Sequence, residues 1–171
     1  MKTNGFLIVT YCMAILMMTA CEKEESVPPY VGTWSVTWDY EDEEGTLGIK
    51  DKLLLTADTY SELLQLRYSP TGSWRSYLGM QGSLSASGYK MDILIDRAGF
   101  SLMDGQGRPT GNIIYYQKGT QEFLEVASIL GLSEVMHVEF SIAGDNMTFL
   151  TDHNGDGDFY DDGELTLYTR E

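Results

Sequence analysis

Gly32-Thr33-Trp34-Ser35-Val36-Thr37-Trp38-Asp39-Tyr40 alternates strictly, with Trp34, Val36, Trp38 and Tyr40 on one face and Thr33, Ser35, Thr37 and Asp39 on the other. This is the period of a half-buried β-strand, because successive side chains leave opposite faces of a pleated backbone. The same rhythm recurs along the chain. After an acidic turn over residues 41–45, Leu47, Ile49, Leu53 and Leu55 keep odd-numbered spacing. Tyr60, Leu64, Leu66 and Tyr68 then share a face up to the turn Ser69-Pro70-Thr71-Gly72. Residues 74–80 and 82–86 read as two further short strands. Tyr89, Met91, Ile93 and Ile95 form another, with Phe100 and Leu102 continuing its pattern before the Gly- and Pro-rich loop over residues 104–109. Residues 112–117, 136–142, 147–151 and 165–170 complete the set.

Residues 121–132 break the rhythm. Phe123, Leu124, Val126, Ala127, Ile129 and Leu130 recur at spacings of three and four, which predicts one helix with Thr120 as its cap and Gly131 near its end. Nine or ten short strands with tight connections and one late helix predict an all-β fold. The expected architecture is a closed antiparallel barrel of eight strands, within a range of eight to ten.

Ahead of the first strand, Lys2 precedes an apolar run over residues 6–20, which has signal length and is short for a bilayer span. The run ends in Leu16-Met17-Met18-Thr19-Ala20-Cys21, where small side chains sit directly before a cysteine. This resembles the processing box of bacterial lipoproteins, which are cut before the cysteine and lipidated on it. The resemblance implies a signal peptide over residues 1–20, a lipid on Cys21, a tether over residues 21–30 and a barrel domain over residues 31–171. The plainer alternative is a secretory signal with an incidental cysteine. Fully extended, the eight residues between Cys21 and Tyr30 reach at most about 28 Å, which keeps the domain close to the membrane. Lys23-Glu24-Glu25 is similar to the signal that takes some Gram-negative lipoproteins to the outer face of the outer membrane, although a solvated charged linker has the same composition.

With Cys12 in the signal and Cys21 lipidated, no thiol is left for a disulfide, so stability must come from packing or a metal. A net charge of −15 repels phosphate backbones and anionic lipid headgroups, and so excludes nucleic acid as a partner. Gly32-Thr33-Trp34 at the start of the domain and Tyr168-Thr169-Arg170 at its end resemble the lipocalin-like domains of Gram-negative outer-membrane lipoproteins. That resemblance implies that Trp34 closes one end of the barrel and packs against Arg170, a contact worth roughly 0.5–2 kcal/mol. Read without it, Trp34 is a core aromatic on a strand.

One loop has specific chemistry. In Asp152-His153-Asn154-Gly155-Asp156-Gly157-Asp158, oxygen ligands from Asp152, Asn154 and Asp156 converge on a hard cation such as calcium, with Gly157 allowing the sharp turn. Asp158 extends this set. The closing carboxylate falls to Asp161, Asp162 or Glu164, since position 12 of the loop is Gly163. The competing reading is a solvated acidic hairpin tip. No enzyme is expected, because the chain lacks a nucleophile elbow, a phosphate loop and a zinc-protease pattern. Its two histidines, His137 and His153, sit on a polar strand face and at a non-ligand loop position. The expected function is therefore that of a membrane-anchored barrel holding a small apolar ligand. The alternative is a filled barrel acting through its surface, as an interaction module or by stacking Trp38, Trp74 and tyrosines on a glycan.

Overall fold

Each alternating stretch becomes a strand in the computed structural model, which describes residues 26–42, 45–152, 158–159, 161 and 163–171. In chain order the elements are β1 (Gly32–Asp42), β2 (Gly45–Leu55), β3 (Thr59–Arg67), β4 (Arg75–Ser87), β5 (Lys90–Met103), β6 (Pro109–Gln117), α1 (Gln121–Leu130), β7 (Met136–Ala143), β8 (Asn146–Thr151) and β9 (Leu165–Arg170). All the strand pairings are antiparallel. The sheet order β4-β3-β2-β1-β9-β8-β7-β5 closes on itself through a β4–β5 ladder, so eight strands form a barrel. This architecture is consistent with a lipocalin-like fold. β6 lies outside the ring on β5, whose free edge pairs with β7 at its start and with β6 at its end.

One pair of predicted short strands is a single long one. The segments over 74–80 and 82–86 join as β4, and β5 runs without a break through Phe100. A register shift between Gln81 and Gly82 leaves Asp96 as an extra residue opposite them. Such a bulge reverses which side chains face inward. Met91, Ile93 and Ile95 are buried before it and Ala98 after it, so the inward phase changes within one strand. The helix stops at Leu130 rather than Leu132, because Gly131 turns left-handed (φ 64°) and the Leu132 amide donates back to the Ala127 carbonyl (2.9 Å). At the other end Thr120 Oγ1 accepts from the Phe123 amide (3.2 Å). α1 buries Phe123 and Val126 in the common core and leaves Leu124 and Ile129 exposed.

The core is densest at one end. Trp34 has no exposed surface, and its indole N–H donates to the Tyr30 carbonyl (2.8 Å). Tyr30, ahead of the first strand, is itself buried edge-on against Phe140. The Arg170 guanidinium lies 4.0 Å from the Trp34 ring centroid and donates to the carbonyls of Val31 (2.9 Å) and Pro29 (2.7 Å). Gly32 leaves room for it: with φ at +147°, a Cβ there would stand 2.6 Å from Arg170 Nη1. In urea unfolding, Trp34→Ala is expected to cost about 3–5 kcal/mol and Arg170→Ala about 1–3 kcal/mol. The double variant should lose less than the sum, because both changes remove one contact, and additive losses would show the two residues to be independent.

Candidate functional site

Inward-facing positions of β2 and β3 are apolar with one exception each. Asp51 follows Leu47 and Ile49 and precedes Leu53 and Leu55, while Glu62 lies between Tyr60 and Leu64. Leu53 pairs with Glu62 and Asp51 with Leu64, so the two acids are diagonal neighbours on the interior face. Each has a tyrosine. Tyr168, from β9, donates its hydroxyl to Asp51 Oδ2 (2.5 Å), and Tyr60 donates to Glu62 Oε2. Asp51 is only 7% exposed, and its Oδ1 has no hydrogen-bond partner.

These groups line a cavity of about 180 Å³. Met80, Ile95, Met136 and Phe149 add apolar wall from β4, β5, β7 and β8, and the end of α1 with the following loop contributes Leu130 to Ser133. Thr151 and Thr166 also line it, at the ends of β8 and β9 remote from Arg170, so the cavity lies toward the end of the barrel opposite Trp34. A cavity of about 150 Å³ suffices for benzene in a protein core. This one is large enough for a small organic molecule.

Its electrostatics follow from the two acids. Burial pushes the Asp51 carboxyl up to about 6, against the lowering effect of the Tyr168 hydroxyl and the Lys52 amide. Glu62 is pushed well above the ordinary carboxylate range, first by burial and then by the charge on Asp51. Both carboxyls therefore hold their protons to higher pH than free ones do. The Tyr168 phenol is raised by burial and then by both carboxylates, so it stays protonated as a donor. None of the described lining residues is basic.

The other candidate residues lie elsewhere. Cys21, Asn154, Asp156 and Asp162 fall outside the described residues, as does His153. Asp152 is half-buried at the cavity wall, and Asp158 is exposed. Glu164 is buried, with Oε2 accepting from the Asp161 amide (3.1 Å) and its carbonyl accepting from the Thr151 amide (2.9 Å). Among the described residues, no three His, Cys, Asp or Glu side chains gather as a metal site. His137 is exposed on the outer face beside Asp92 (2.7 Å). Trp38 and Tyr40 are exposed toward the end of β1, while Trp74 is half-buried beneath the Arg67 guanidinium, 4.6 Å from its ring. Asp51, Glu62, Tyr60 and Tyr168 are the polar site that the sequence pattern alone did not single out. Its signal was there in outline, as an acid at the apolar phase of two adjacent strands.

The raised Asp51 carboxyl makes stability depend on pH in a definite direction. Between its ordinary value of 3.8 and about 6, the folded chain keeps a proton that the unfolded chain releases. This contribution is fully present below the lower value and lost as pH rises through the upper one. Acidification from about pH 7.5 to about pH 5 should thus add about 1–2 kcal/mol of stability through this group. Asp51→Asn should flatten that rise in urea titrations at each pH, whereas an undiminished rise in the variant would assign it to other acids. No family model and no curated protein matches this chain.

Proposed function

We propose that the chain is a lipid-anchored, lipocalin-like binding protein that carries a small ligand inside its barrel and performs no catalysis on it. The observation that carries this reading is the cavity of about 180 Å³ beside Asp51 and Glu62, in a barrel plugged at its other end by Trp34. Met80, Ile95, Leu130, Met136 and Phe149 suit an apolar ligand body. The same space argues against a filled barrel that acts only through its surface. His137, the described histidine, lies on the outer face rather than in the cavity, which fits a carrier better than an acid–base enzyme.

The anchor in this proposal is a lipid on Cys21 at the outer membrane, displayed on the cell surface, with membrane and ligand as the partners and no nucleic acid. The processing box and Lys23-Glu24-Glu25 support it. No helix among the described residues is long and apolar enough to cross a membrane. Native mass spectrometry of the full chain, purified without refolding, should show an excess organic mass that is lost on denaturation. Purified chain that never carries such a mass, from any growth condition, would overturn the carrier reading.

The loop over residues 152–164 is proposed to hold a structural calcium ion, on the strength of its Asp-x-Asn-x-Asp-Gly spacing. Six carboxylates in thirteen residues repel one another, and a cation relieves that repulsion. Calcium in excess should raise the melting temperature and chelation should lower it. Coincident melting curves would assign the loop to a solvated hairpin tip.

A further inference from the structure

We infer that the barrel cavity takes a small organic monocation, a protonated primary amine on a compact apolar or aromatic body, with its ammonium group on the Asp51 carboxylate. This rests on the reading of the barrel as a carrier and names the class of its ligand. Three observations carry it. Asp51 is 7% exposed and lines the cavity, and its Oδ1 has no hydrogen-bond partner. A buried acceptor without a donor is costly, and natural cores seldom keep one unless something else supplies the donor. Second, the tyrosines leave the site hungry for donors rather than complete. Tyr168 and Tyr60 each spend their single hydroxyl proton on one carboxyl oxygen, so the remaining oxygen of Asp51 and the phenol lone pairs are acceptors. An ammonium group brings three donors and no acceptor, which is the complement of that set. Third, no basic side chain competes for the charge. Lys50 and Lys52, the cations flanking Asp51 on β2, both pair at 2.5 Å with Glu171, and the described lining residues include no Lys, Arg or His.

The rest of the cavity sets the remaining specificity. The rings of Tyr60, Phe149 and Tyr168 line it, with Phe149 and Tyr168 packed edge to face at 5.8 Å, and aromatic faces attract a cation that has left water. A volume of about 180 Å³ favours a body near the size of a benzene ring with a short substituent. Two carboxyls placed as diagonal neighbours disfavour double ionisation, so the site suits a single ammonium rather than a diamine.

The test is isothermal titration of the full chain, held in non-ionic detergent at physiological salt to screen the acidic surface. Benzylamine hydrochloride is compared with benzyl alcohol, its neutral counterpart of nearly equal shape. The amine should bind at least about tenfold more tightly than the alcohol. Asp51→Asn should weaken the amine more than about tenfold and leave the alcohol unchanged. Asp92→Asn, on the outer face, should keep amine binding. Equal affinities for amine and alcohol, or amine binding unchanged in Asp51→Asn, would overturn the inference and leave a carrier of neutral apolar ligands. Binding of neither probe at millimolar concentration would overturn both the inference and the carrier reading. The comparison of the two probes on the unaltered chain decides the matter even where a variant does not fold.

Discussion

Closure of the ring depends on a short seam. β1 pairs with β9 through Trp34 with Arg170 and Ser35 with Thr169, whereas β1 pairs with β2 along its whole length. A seam of two residue pairs gives little backbone hydrogen bonding, so side chains must hold it. Arg170 does this by covering the Trp34 ring while binding the carbonyls of Val31 and Pro29. One residue later, the Glu171 amide donates to the Thr33 carbonyl (2.9 Å), and its carboxylate, lowered to about 2, joins Lys50 and Lys52 across β2. Charge-assisted hydrogen bonds thus replace the missing ladder. Removing Arg170 therefore acts on closure itself, and not only on the packing of one indole.

Inside the barrel the same seam is crossed by a second bond, from Tyr168 on β9 to Asp51 on β2. This one does not stabilise in the same way. Burying a carboxylate is unfavourable unless its oxygens are satisfied, and here one oxygen is and one is not. An Asn or a Leu at position 51 would ease the desolvation, so packing alone does not account for the acid. Local departures from the apolar pattern tend to mark sites where function overrides stability. The placement of Glu62 beside it strengthens the point, because two carboxyls in one low-dielectric space raise each other's cost.

The outer frame of the molecule was readable because period-two alternation, turn chemistry and a capped amphipathic segment each act locally. β1, β2, β3 and β7 follow their alternation, and Thr120 and Gly131 bracket the helix as their types require. The full length of β4 was not readable, since Gly82, packed against the Leu94 carbonyl, interrupts its apolar row without ending the ladder. The interior site escaped for a related reason. Attention to the apolar rows Leu47, Ile49, Leu53, Leu55 and Tyr60, Leu64, Leu66 passes over the acid missing from each row. Nothing in one strand shows that the two gaps fall side by side. Tyr168 looked like part of a terminal motif, and its hydroxyl finds Asp51 only once the ring closes. Pairing across 117 residues is a property of the topology rather than of any segment.

Closure and cavity also fix how the barrel would be presented. The chain enters through Pro29 and Tyr30, which lie against Arg170 and Trp34 at the plugged end. The cavity is lined instead by Thr151, Thr166 and the loop after α1, at the ends of β8 and β9 remote from Arg170. A lipid on Cys21, nine residues before Tyr30, would therefore hold the plugged end toward the membrane and turn the cavity end outward. For a surface-displayed carrier that polarity has a consequence for selectivity. A ligand arriving from the aqueous side would meet the end of the barrel that holds the cavity, where Asp152 is part of the wall, before it reaches Asp51. The chain's net charge of −15 would turn anions back and draw cations toward that end, where Asp51 lies. Attraction at the rim is screened by salt and sorts only by sign. A desolvated contact with the Asp51 carboxylate would not be screened in that way, and would sort by hydrogen-bond donors and size.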